Sequence, residues 1–215
     1  MSREKAELFQ IAGRFDTEGE MISIEPHGNG HINDTFLLTC YEASKEKLRY
    51  ILQRMNHEVF KDPEGLMENI VGVTTFLQKK ITEHGGDPKR EALNVIAAKE
   101  GGAFCQLEDG TFWRMYRFVE DADSYDVVER PEDFYESAVA FGHFQKLLSD
   151  YPAESLHETI PNFHNTIDRL EKFKKAAEAD PLKRAGEVEE EIRFVLDREA
   201  DCRVLCDLLA SGEIP

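Results

Sequence analysis

Two glycines and a string of small polar residues, Gly28-Asn29-Gly30-His31-Ile32-Asn33-Asp34-Thr35-Phe36, lie between two strand-like runs. Glycines in such a turn leave backbone N–H groups uncovered, and paired strands can hold them over the phosphates of a nucleotide. The run matches the first two glycines of G-x-G-x-x-G and has Asn33 where the third would stand, so a side-chain amide approaches there instead of bare backbone. Taken alone, the run reads more readily as an ordinary hairpin turn, and only its context favours the phosphate-covering reading. His31-Ile32-Asn33-Asp34 resembles the H-x-D string of phosphotransferases, but it sits at a strand entrance and lacks the downstream asparagine, so no catalytic role is assigned to it. Nothing in the rest of the chain offers the acid/base and metal-binding segments that phosphoryl transfer requires.

Other chemistry-bearing residues have simpler readings. Asp121, Asp123 and Asp126 lack the glycine turn and late bidentate carboxylate of a hard-cation loop, and read as a solvated acidic connector. Cys202 and Cys206 have half of a metal-site spacing with no second pair nearby, and are expected as buried core cysteines. Glu187, Glu189, Glu190 and Glu191 form the solvent face of a helix. No Cys or Ser followed by x-Pro-x-Arg occurs, so the nucleophile of a sulfatase is missing.

The elements that must position the glycine turn follow from hydrophobic period. Leu8, Ile11, Ala12 and Phe15 recur at helical spacing and predict a short amphipathic helix over 4–15. Strands are expected at Met21–Glu25, Thr35–Tyr41 and Arg49–Gln53, forming an antiparallel meander. Asp62-Pro63 starts a helix that Leu66, Ile70, Val73, Leu77 and Ile81 continue and Gly85-Gly86 ends. Strand patterns return at Leu93–Ala98, Phe104–Leu107 and Thr111–Val119, with Gly101-Gly102 and Asp109-Gly110 as turns. Beyond the acidic stretch Glu120–Asp126, Pro131 opens a helix carrying Phe134, Ala138, Phe141 and Leu148 on one face. Gln145 lies within that stripe, where it would steady a cleft from below, and His143 faces solvent. Helices are also expected over 164–178 and 187–210, the second with Ile192, Val195, Cys202, Leu205 and Leu209 as its stripe. This is an α+β chain in three parts: a sheet lobe over 1–119, a connector over 120–130 and a helical portion over 131–215.

Composition narrows the partners. With 215 residues, 41% of them hydrophobic, the chain can bury one sizeable core or two small ones. Its net charge of -17 repels nucleic acid and anionic lipid surfaces, so neither is an expected partner. Charges within Met1–Gln10 and the breaks in every apolar run argue against a secretory leader or a membrane span, and scattered cysteines suit a reducing cytoplasm.

Gly-His-Ile-Asn-Asp-Thr-Phe at 30–36, Tyr-Ile-Leu-Gln-Arg-Met-Asn at 50–56, Trp113 to Glu120 and Ala140 to Gln145 together resemble the N-acetylhexosamine 1-kinases of the aminoglycoside phosphotransferase and choline kinase group. The resemblance runs from about Leu8 to Pro215. It implies a protein-kinase-like N-lobe, an antiparallel sheet plus one long helix, followed by the first helices of a helical C-lobe. It also implies ATP and magnesium as cofactors and an N-acetylhexosamine, phosphorylated at its anomeric hydroxyl, as substrate. In that family the counterpart of Gly212–Pro215 immediately precedes the catalytic loop, so the catalytic aspartate and magnesium ligands are expected beyond Pro215 and this chain alone is expected to be inactive.

The residues that would hold ATP under this resemblance are Gly28, Gly30, His31, Ile32, Asn33 and Thr35 around the phosphates, with Gln53 where protein kinases have their strand lysine. Arg54 is cationic, but strand alternation sends it to the opposite face. Asn69 flanks the apolar stripe of its helix and is the expected partner of Gln53, in a neutral contact that replaces an ion pair. Tyr116, Arg117, Phe118 and Val119 end the last strand where backbone groups would meet an adenine edge. The alternative is a non-catalytic module that keeps the hairpin and performs no transfer.

Overall fold

Strict alternation along the middle strands separates two faces of one sheet. The computed structural model describes residues 3–122, 125, 127–128 and 130–214. Five strands, β1 (Glu20–Pro26), β2 (Asp34–Tyr41), β3 (Lys47–Met55), β4 (Phe104–Gln106) and β5 (Phe112–Arg117), pair antiparallel in the order β1-β2-β3-β5-β4. Leu38 and Cys40 of β2, Leu48, Tyr50 and Leu52 of β3, and Trp113 and Met115 of β5 join one buried cluster. Leu8, Ile11 and Ala12 of helix α1 (Arg3–Ala12) cover it, together with Phe15. The helix is shorter than the predicted 4–15. Phe15 has left it and forms a bridge with Ala98, which seats its ring in the core with no exposure.

The opposite face carries two rows set by register. Leu37, Ile51 and Tyr116 are consecutive cross-strand partners, and so are Thr35, Gln53 and Arg114. Helix α2 (Pro63–Glu83) meets this face through Met67, whose sulfur lies 3.8 Å from Arg114 Nη1. Its start is as the sequence predicts: Asp62 Oδ1 accepts the Gly65 N–H at 2.9 Å, and Pro63 needs no donor partner in the first turn. Leu77 and Ile81 pack with Ala92, which follows the short helix α3 (Pro88–Glu91).

The expected strand at Leu93–Ala98 does not form as a regular element. The segment runs beside β5 through isolated bonds, Ile96 N–H to Met115 O at 2.9 Å and Arg117 N–H to Asn94 O at 2.8 Å, and then leaves it so that Ala98 can pair with Phe15. Shared between two partners, its backbone cannot complete a ladder with either.

Helix α4 (Pro131–Leu147) begins at the expected proline, yet none of its residues is buried. Only its end packs, Leu147 together with the adjacent Leu148 reaching the Leu77–Ile81 cluster. Phe134 and Phe141 stay about two-thirds exposed, and Gln145, placed by the sequence in a buried stripe, is exposed too. Asp123, Ser124 and Asp126 of the predicted connector lie outside the described residues.

Packing divides the chain into two compact units, Met1–Thr159 and Ile160–Pro215, so α4 belongs with the sheet. The second unit holds α5 (Thr166–Ala179), α6 (Glu189–Leu196) and α7 (Val204–Ser211). The single helix predicted over 187–210 is broken between α6 and α7 by a 3-10 turn at Asp201–Arg203. The polar run Asp197–Asp201 supplies no apolar face to hold a helix there, and Thr166 takes the Cys202 carbonyl as acceptor at 2.5 Å. Cys202 and Cys206 are consequently half-buried against α5, not core residues. No helix among the described residues is long and apolar enough to cross a membrane.

Candidate functional site

Three polar side chains on adjacent strands form a continuous chain across the sheet face opposite α1. Gln53 Nε2 donates to Thr35 Oγ1 at 2.9 Å, and Gln53 Oε1 accepts from Arg114 Nε at 3.0 Å and Nη2 at 2.7 Å. Arg114 is 9% exposed. Its guanidinium also meets the Met67 sulfur and the Tyr116 ring, whose centroid lies 5.1 Å from the guanidinium carbon. Among the described residues no carboxylate pairs with it. A buried cation held only by neutral groups is an expensive arrangement, because an amide oxygen replaces little of the lost hydration. Burial holds the Arg114 guanidinium below its ordinary value and pushes the Tyr116 phenol up to about 12.

The glycine loop is anchored at both ends and open at its tip. His27 N–H donates to Thr35 O at 2.9 Å, and Asn33 Oδ1 accepts the Asn56 N–H at 2.8 Å, fastening the loop to the end of β3. Asn33 thus has a structural duty that its place in the glycine pattern did not disclose. Between the anchors Gly28 takes φ +78°, while His31 and Ile32 are exposed and line a polar cavity of about 390 Å³ with Arg54, His57 and Thr111. A side chain added at Gly28 or Gly30 would meet no atom within 4 Å. Gly30→Ala should therefore leave stability unchanged within about 0.5 kcal/mol in urea titration, and Gly28→Ala should lose roughly 1–2 kcal/mol through its left-handed backbone. A ligand affinity lost in Gly30→Ala would then report the loop's own contacts.

At the far end of β5 the backbone is largely occupied. The Arg117 N–H bonds Asn94 O, and the Phe118 N–H bonds Arg49 O at 2.9 Å. Val119 has no backbone partner among the described residues. Phe118 itself is held from two sides: the His27 ring meets it edge-on at 5.6 Å, and the Arg49 guanidinium lies 4.2 Å from its centroid. Arg49 is in turn paired with Glu120, which keeps the Glu120 carboxyl below its usual range. The start of the glycine loop and the end of β5 therefore touch.

The structure brings Thr35 and Gln53 together and leaves Asn69 apart. Asn69 bonds the His157 backbone in both directions at 2.8 Å, so the expected Gln53–Asn69 contact is absent. The reason is helical phase: Met67 is the residue that α2 turns toward Arg114, and Asn69 lies roughly 200° further round the helix. Beside it Glu68 pairs with His157 Nε2 at 2.6 Å. Arg54 is on the other face as alternation predicts, paired with Asp34.

Sequence reading assigned no role to Arg114, Met67 or His27. Arg114 shares a strand face with Tyr116 and Phe118 by period alone, a signal that was available. Its partner was not, because Gln53 is 61 residues away.

No family model matches the chain. A solved structure, amicoumacin kinase hAmiN in complex with AMP-PNP, Ca2+ and Ami, is similar with a TM-score of 0.49 and 8% identity, over 88% of this chain and 54% of that one. This chain thus spans about half the length of that protein. At that level of likeness no residue role passes from one chain to the other.

Proposed function

We propose that the sheet portion, residues 1–119, is the nucleotide-holding lobe of an ATP-dependent small-molecule kinase, with an N-acetylhexosamine as acceptor in the cytoplasm. The observation that carries this reading is the pair of adjacent rows on one sheet face. The row Leu37, Ile51 and Tyr116 is an apolar floor suited to a base, and the row Thr35, Gln53 and Arg114 beside it is polar and cationic. The floor lies at the Val119 end of β5, where a backbone N–H and C=O without a backbone partner among the described residues can pair with an adenine edge. The Gly28–Gly30 backbone then covers the phosphates, and stretch 120–130 connects to the helical portion.

In this reading the chain binds and orients the nucleotide. The substrate class, the magnesium requirement and the location of proton-transfer groups rest on the sequence resemblance. Protein expressed from its complete reading frame and supplied with ATP and magnesium should release ADP with N-acetylglucosamine or N-acetylgalactosamine, but not with choline or an aminoglycoside. Folded protein without turnover on any amino sugar overturns the acceptor. Nucleotide binding with no turnover on any acceptor favours the non-catalytic module.

A further inference from the structure

We propose that Arg114 on β5 is the cation that receives the phosphates of the bound nucleotide, and that Gln53 on β3 is its positioning residue. The inference rests on the nucleotide-lobe reading and adds a site to it. Protein kinases place a lysine on the third strand for this purpose, and here that strand offers an uncharged glutamine. The other cations nearby are committed: Arg54 lies on the opposite face with Asp34, and Arg49 is paired with Glu120. Arg114 is buried, faces the same side as the apolar floor, and has no carboxylate partner among the described residues.

The chemistry of residue 53 explains why this cation stays available. Gln53 Oε1 takes the Nε and Nη2 donors of Arg114, while its Nε2 is tied to Thr35, so the guanidinium plane is fixed from one edge. Among the described residues the hydrogen-bond partner of Nη1 is the Met67 sulfur, at 3.8 Å. An amide orients the fork without neutralising it. A carboxylate in the same place would orient it equally well and quench the charge. The unspent donors of a fixed guanidinium suit the paired oxygens of a polyphosphate.

The test compares ATP with adenosine, using fluorescent derivatives of each, on the wild-type chain and on R114M, R114K and Q53E. Wild type should prefer ATP by about tenfold or more. R114M should lose that preference while binding adenosine as before, and R114K should recover part of it. Q53E should also lose it and should melt at a higher temperature, since its carboxylate meets the buried guanidinium. Folded R114M with wild-type ATP affinity overturns the proposal. Should R114M fail to fold, Q53E with undiminished ATP affinity overturns it instead. Wild type that binds adenosine and ATP equally removes Arg114 from the site and leaves the base floor standing. Wild type that binds neither overturns the nucleotide-lobe reading and this proposal together.

Discussion

Phe15→Ala should remove about 3–5 kcal/mol of stability, a large share of what a domain of this size possesses. Phe15 is fully buried, its backbone bridges Ala98, and its ring sits among residues from α1 and the sheet. Truncation leaves a cavity where three chain segments converge, so no single element can move to fill it. Leu8→Ala, at the edge of the same cluster and 8% exposed, should cost less because solvent reaches part of the vacated space. The chain has one tryptophan, Trp113, which belongs to this cluster, so its emission during urea denaturation reports the loss directly. A change below about 1 kcal/mol would mean that α1 docks without Phe15.

Raising the pH above 9 should destabilise the sheet unit steeply. Burial pushes the Cys40 thiol from 9.0 up to about 11 and the Tyr116 phenol from 10.0 up to about 12, and it also raises Tyr50 and Cys105. In each case the folded state keeps a proton that the unfolded chain releases sooner. The unfolded state then binds fewer protons, and stability falls as pH rises. The Cys40 contribution is fully present below pH 9 and is lost by about pH 11; the Tyr116 contribution is lost between about pH 10 and 12. Each is on the order of 2–3 kcal/mol. Denaturation at a series of pH values should show the fall beginning near 9, and Cys40→Ala should flatten its lower part. A profile level to pH 11 in the wild type would contradict the burial of these groups.

Legibility differed between local and distant features. The meander β1–β3, the proline-initiated helices α2 and α4 and the glycine turns were all readable, because period, caps and positive-φ residues act within a few positions of themselves. Leu93–Ala98 misled because a strand-forming composition says nothing of whether one neighbour or two will claim the backbone. Gln145 misled because an apolar stripe predicts burial only where another element arrives to cover it. Cys202 and Cys206 were expected in the core, but their half-buried setting depended on a break in the helix that periodicity alone did not show.

At the candidate site the same division holds. The sequence by itself determined that a glycine loop joins two strands, that an uncharged Gln53 stands on the third strand, and that the neighbouring Arg54 points to the other face. Only the tertiary structure decided which cation stands beside Gln53, since the pairing of β3 with β5 crosses α2 and α3 and is set by cross-strand hydrogen bonds between residues 61 apart. The same long-range register turned Met67 instead of Asn69 toward that cation. Alternation assigns a residue to a face, but the alignment of distant strands decides which residues on that face become neighbours.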